Sequence, residues 1–254
     1  MRRLGLAAAA VALIGSTLAF SPARAQEAPA LPEVHWSFSG IFGVFDHAQA
    51  RRGFQVYKEV CSACHSMNLL AYRNLEALGF SEDEVKAIAA SVQVPDLDDN
   101  GEVKDRPGKP SDQFQPPFPN VLAARAANNG ALPPDLSVIV KARKGNADYV
   151  HAILTGFVPA PADFKLQNGM NYNEYFPGHQ IAMPQPLQDN SVTYADGTPA
   201  TLDQEAQDVS TFLAWAAEPE LEERHETGVK VILFLIVLTT LVYAYKRKVW
   251  AKVH

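Results

Sequence analysis

A chain of 254 residues suits one or two domains once its two unusual ends are set aside. The net charge of −6 understates how charge is distributed. All 28 acidic residues lie between Glu27 and Glu226, where only 14 of the 22 basic residues lie, so this stretch carries −14. Such a field repels nucleic acid, which is excluded as a partner, and raises the encounter rate with a basic protein in a salt-dependent way.

The first 25 residues combine the basic start Met1-Arg2-Arg3, an apolar alanine-rich run and the small-residue site Ala23-Arg24-Ala25. This pattern predicts a secretory signal peptide over 1–25 and a mature chain from Gln26, in the periplasm of a bacterium. From Ala48 to Val60 the apolar residues fall at loose helical spacing and lead into Cys61. Leu69, Leu70, Tyr72, Leu75 and Leu78 continue at helical spacing to Gly79, and Ser81 to Glu84 form a capping box for a further helix. Between Gln93 and Pro119 prolines and polar residues break every pattern, predicting a long surface excursion.

Helical periodicity returns at 119–130, with Gly130 as the expected C-cap, then at 135–145 and at 146–156. Residues 159–200 are again proline-rich and predict no helix. A second capping box, Thr201 to Gln204, opens a helix with an apolar face of Val209, Phe212, Leu213 and Ala216. No repeat and almost no alternating strand pattern is present.

The last element is an apolar run from Val229 to Tyr245 whose one charge, Lys230, lies at the edge and can snorkel. At about 1.5 Å per residue it covers nearly the whole hydrocarbon core. Tyr243, Tyr245 and Trp250 supply interfacial aromatics, and Lys246, Arg247, Lys248 and Lys252 follow. The prediction is a transmembrane helix over 229–246 in contact with lipid, a cytoplasmic tail over 247–254 and a periplasmic domain over 26–228.

Both cysteines of the chain sit in Cys61-Ser62-Ala63-Cys64-His65. This is the C-x-x-C-H attachment pattern of c-type haem. Two thiols three positions apart can each form a thioether to one vinyl group, and the next residue projects an imidazole at the iron. Covalent attachment also keeps a cofactor from being lost outside the cell. A redox-active disulfide would call for a βαβ setting, and structural zinc for two further ligands; the sequence offers neither. The sixth iron position decides between electron transfer and small-molecule chemistry. Met67 is too close in sequence to His65 to reach the opposite face, which leaves Met170 and Met183. Pro184 and Pro186 stiffen the backbone around Met183, favouring it modestly, with His179 as the rival to test.

The segments VCSACHSMNLLAYRNL, PNVLAARAANNGALPPDLS and YFPGHQIAMPQPL, followed by a C-terminal anchor, resemble the cytochrome c1 family, from about Phe45 to the end. The resemblance implies a mainly α, cytochrome c-like helical haem domain with long irregular loops. It implies one haem c attached at Cys61 and Cys64, with His65 and Met183 as axial ligands. Arg125 matches a family arginine near the haem propionates, and Pro133-Pro134 resembles a segment whose carbonyl orients the proximal histidine. Tyr172, Tyr175 and Phe176 are expected either to cover the haem edge or to be routine core. The implied function is that of the haem subunit of the cytochrome bc1 complex, beside cytochrome b. It relays single electrons from the Rieske iron–sulfur protein to cytochrome c with no bond chemistry of its own. Glu218, Glu220, Glu222 and Glu223 are candidates for docking cytochrome c. The alternative is an anchored mono-haem cytochrome with an open sixth position.

Overall fold

The computed structural model describes residues 30–252, so the expected signal peptide at 1–25 lies outside the described residues. α1 (His47–Glu59) begins where Asp46, in extended backbone, accepts a hydrogen bond from the Gln49 amide. It buries Ala50, Gly53, Phe54, Val56 and Tyr57, and a single 3₁₀ turn at Cys61–Ala63 follows. The periodic stretch ending at Leu78 forms a tighter 3₁₀ helix, Tyr72–Leu78. The amides of Tyr72 and Arg73 donate to the carbonyls of Asp112 and Pro110, and these long-range bonds compete with α-helical pairing. Gly79, at φ +81, ends it, and the Ser81–Glu84 capping box opens α2 (Glu82–Ala90) as expected.

Residues 93–119 depart from expectation. They contain an antiparallel hairpin, β1 (Gln93–Leu97) against β2 (Val103–Pro107), in register Gln93 to Pro107. Nearly every residue of both strands is solvent-facing, so no alternating apolar face marks them. Ion pairs hold the unit instead, Lys104 with Asp98 and Arg106 with both Asp96 and Asp112. Nor does the segment stay on the surface. Phe114 is buried and stacks on Tyr72 with ring centroids 4.7 Å apart.

α3 (Val121–Ala127) is capped at its start by Asn120, and Gly130, at φ +84, donates its amide to the Arg125 carbonyl. Residues 135–145, expected as a helix, form successive turns. The Asp135 carboxylate accepts from the amides of Asn68 and Ser137 and the Ser66 hydroxyl. It thereby draws this backbone toward residues 66–68. α4 (Asn146–Thr155) follows. The proline-rich loop holds a two-residue hairpin, β3 (Asn171–Tyr172) with β4 (Gln180–Ile181), and then α5 (Leu202–Ala217) begins at Thr201. α5 buries more than one apolar stripe, since Glu205 and Asp208 are also fully buried.

The core is built on the crossing of α1 over α5, with α4 against the same helix. Phe54 and Tyr57 each pack on both Phe114 and Phe212 at centroid distances of 5.6 to 6.0 Å. At the closest point a methyl added to Gly53 would lie 2.0 Å from the Asp208 carbonyl oxygen and 2.7 Å from Phe212 Cβ. Gly53→Ala therefore sets a gain in helix propensity, about 0.5–1 kcal/mol, against a backbone clash. Overpacking of that kind costs about 1–3 kcal/mol and wins. The expected result is a lower thermal midpoint for the variant, whereas an unchanged or raised midpoint would show that the crossing yields freely.

α6 (Leu221–Trp250) runs for 30 residues. The expected membrane segment lies within it, but the helix starts at Leu221, inside the folded domain. Leu221 is buried, Glu222 accepts from the Phe45 amide at 2.8 Å, and His225 Nδ1 donates to the Gly43 carbonyl at 3.2 Å. Its apolar window has a mean hydropathy of 2.1 and no buried residue, and among the described residues it is the one helix long and apolar enough to cross a membrane. Domain and anchor are thus joined by continuous helix.

Candidate cofactor site

The Cys61–His65 segment leaves α1 as a compact turn, with the amides of Cys64 and His65 both donating to the Cys61 carbonyl. The two cysteines are not disulfide-bonded; Cys64 is exposed and Cys61 half-buried. Burial pushes the Cys61 thiol up to about 12, with Cys64 adding to the effect, the opposite of what a reactive dithiol needs. Among the described residues no cluster of three or more His, Cys, Asp or Glu side chains could hold a metal ion, which disfavours a structural zinc site.

His65 is fixed from behind. Its Nδ1 donates to the Pro134 carbonyl at 2.8 Å, so Nε2 is left as the free nitrogen. Burial lowers its pKa below the ordinary histidine value despite the Pro134 bond and nearby Asp135, keeping the ring neutral with a lone pair to donate. The Pro134 segment is itself clamped, through Leu136 N to Ser66 O and through Asp135 to Ser66 and Asn68. Burial alone would raise the Asp135 pKa, yet its hydrogen bonds from Ser137, Asn68 and Ser66 hold it below the usual carboxylate value.

The hairpin β3–β4 carries both candidate methionines at one end. Asn171 pairs with Ile181, so Met170 precedes one strand and Met183 follows the other. Asn171 Nδ2 donates to the Met183 carbonyl at 3.3 Å, and Met183 is half-buried. The hairpin is rigid for reasons other than proline. Buried Asn173 donates to the Ile153 carbonyl of α4 and accepts from the amides of Tyr175 and Phe176. Tyr172 stacks on His179 at 5.6 Å, with Phe164 edge-on to both. His179 sits at φ +58, its buried Nδ1 without a hydrogen-bond partner.

The loop before the hairpin meets the turn after α3. A methyl on Gly169 would fall 2.1 Å from the Asn129 side-chain amide. Arg125, on α3, donates to the Gly130 carbonyl at 2.9 Å and holds the turn that leads through Leu132 to Pro134. The structure therefore links the Met170/Met183 end of the hairpin, Arg125 and the His65 support into one neighbourhood. Val121, Leu122 and Leu132 in the same stretch are exposed apolar side chains, against which an apolar macrocycle could pack. Thiols, a neutral imidazole with one free nitrogen, a nearby thioether and apolar cover suit a c-type haem. Asp135 and Asn173 were missed in the sequence, because a lone Asp or Asn carries no spacing signal. Of the proposed docking glutamates, Glu218 is paired with Lys141 and Arg224, and Glu222 with the Phe45 amide, leaving Glu220 and Glu223 exposed.

A mainly helical domain with this attachment turn and an apolar C-terminal helix defines the class of the membrane-bound c-type cytochromes. The sequence model of the Cytochrome C1 family matches residues 36–253. The chain is similar to "Cytochrome c1" of Rhodospirillum rubrum, 50% identical over 86% of this chain and 86% of the relative. It is similar to "Cytochrome c1, heme protein, mitochondrial" of Schizosaccharomyces pombe, 52% identical over 86% of this chain and 71% of the relative. A third, "Cytochrome b-c1 complex catalytic subunit, mitochondrial" of Candida albicans, is 50% identical over 87% and 78%. The chain belongs to the cytochrome c1 family and carries one covalently bound haem c.

Proposed function

We propose that this chain is the electron-relay subunit of a cytochrome bc1 complex. It takes single electrons from the Rieske iron–sulfur protein and passes them to a soluble or tethered cytochrome c, with cytochrome b beside it. The observation that carries this reading is His65, directly behind Cys61 and Cys64, with Nδ1 spent on Pro134 and Nε2 free. The name of the Candida albicans relative supports membership of the complex.

Haem c, when bound, supplies a one-electron iron couple. Cys61 and Cys64 would hold its macrocycle through thioethers, and His65 and Met183 would ligate its iron. Pro134 keeps His65 in the tautomer that ligates, and Asn173 with the Tyr172–His179 stack holds the strand end that presents Met183. Arg125 would contact its propionates, with the guanidinium already oriented by Gly130. None of these residues makes or breaks a bond during the relay. The membrane segment 229–246 places the tail 247–254 in the bacterial cytoplasm and the haem domain, 26–228, in the periplasm. Removal of 1–25 as a signal peptide completes the topology.

Rapid mixing of the reduced protein with an oxidised basic cytochrome c tests the relay. The acidic domain predicts fast oxidation at low salt and a steep fall as NaCl rises, because the screening length shrinks from about 10 Å at 0.1 M to about 3 Å at 1 M. A rate indifferent to ionic strength removes the acidic docking surface, and no transfer at any salt removes the relay itself.

A further inference from the structure

Between the N-terminal segment and α1 the chain makes a tight turn, Gly40-Ile41-Phe42-Gly43, closed by Gly43 N to Gly40 O at 3.2 Å. The exposed middle of such a turn is normally polar. Here Ile41 is 71% exposed and Phe42 is 77% exposed, with Val44 also exposed at the stem. The turn is built to hold them there. The stem is closed by Val44 N to Ser37 O, and a methyl on Gly43 would lie 2.2 Å from the Phe38 carbonyl group.

Its position is set by α6. Phe45 meets Glu222 and Gly43 meets His225, so the turn runs down α6 by about 4.5 Å over those three helical residues. The stem is on the domain side and the tip on the side of Val229, where the exposed apolar surface of α6 begins. Glu220, Glu222, Glu223 and Glu226 line the groove beside it, so this surface has no attraction for anionic headgroups. What the tip offers is exposed apolar area on the side of α6 toward its apolar span.

We infer that Ile41 and Phe42 form a second membrane contact, dipping into the headgroup–acyl boundary beside α6 and fixing the tilt of the domain over the bilayer. This rests on α6 crossing a bilayer. Two points of attachment would turn the continuous helix into a rigid stand with a defined face toward the lipid.

Nitroxide labels at Ile41→Cys and Phe42→Cys test it in the full complex, embedded in phosphatidylcholine nanodiscs. Leu235→Cys in α6 and Asp99→Cys on the far hairpin serve as references. Power saturation compares relaxation by oxygen, which concentrates in lipid, with relaxation by a water-soluble nickel chelate. The expected ratio of oxygen to nickel effect is above one at 41, 42 and 235 and below one at 99. A ratio below one at 41 and 42 with 235 in lipid overturns the contact, as does protection from both agents, which would mean that a partner subunit covers the tip. A ratio below one at 235 overturns the membrane reading of α6 itself.

Discussion

Met183→Leu is expected to leave the haem covalently attached while opening its sixth position. Leucine matches methionine in volume and apolarity, so the half-buried site can accept it at a cost below about 1.5 kcal/mol. The Asn171 bond is to the Met183 backbone carbonyl, and the substitution leaves that intact. What disappears is the sulfur. Axial ligands move haem potentials over a span of about 0.8 V, and a methionine sulfur lies toward the upper end. A fall on the order of 0.1 V follows, roughly fifty-fold in the redox equilibrium at about 59 mV per decade. The ferrous variant should bind carbon monoxide, and the parent should resist it. Redox titration and a carbon monoxide difference spectrum measure both. Met170→Leu is the necessary control, since the register places both methionines at one end of the hairpin. If Met170→Leu changes the potential and Met183→Leu does not, the assignment is reversed. If neither does, His179 takes its place, and carbon monoxide binding by the parent would instead establish the open-site alternative.

The attachment turn was legible in the sequence because its chemistry is local: two thiols and an imidazole within five residues need no tertiary information. The choice of Met183 was not. Spacing favoured it only modestly over Met170, and the family resemblance made the difference. The structure shows why the residues alone could not decide, since the hairpin brings the two methionines together. The Ser81–Glu84 capping box, the Thr201 cap and the apolar run of α6 were equally readable, being patterns of a few residues or of continuous apolarity, although Gln204 turns to Asp208 and does not close the second box expected at Thr201. The β1–β2 hairpin was invisible because its strands pair through Lys104, Arg106 and aspartates, which read as loop composition. Residues 135–145 carry helical periodicity yet form turns, because Asp135 spends its carboxylate on residues nearly 70 positions earlier. The same kind of long-range polar contact hid the charged interior of α5.

Asp208→Ala is expected to be the most damaging single change to the fold. Asp208 is fully buried in the α1–α5 crossing and takes two hydrogen bonds from Arg52, Nε to Oδ2 at 2.9 Å and Nη2 to Oδ1 at 3.1 Å. Gln204 Nε2 adds a third at 2.8 Å. Burial alone would lower the Arg52 pKa, but Asp208 and the exposed Asp196 more than offset it, so the guanidinium stays charged. Removing Asp208 leaves that cation mostly buried with only Asp196 as a counter-charge, and truncating one partner of a buried pair costs about 3–5 kcal/mol. For a domain of this size that lowers the thermal midpoint by about 6–20 °C. Replacing both partners with apolar residues, Arg52→Met with Asp208→Leu, removes the stranded charge and should recover most of the loss. Denaturant titrations of the two single variants and the double variant complete the cycle. If Asp208→Ala costs less than about 1 kcal/mol, the value of an exposed pair, then water reaches Arg52 and the crossing of α1 over α5 is held by its apolar packing.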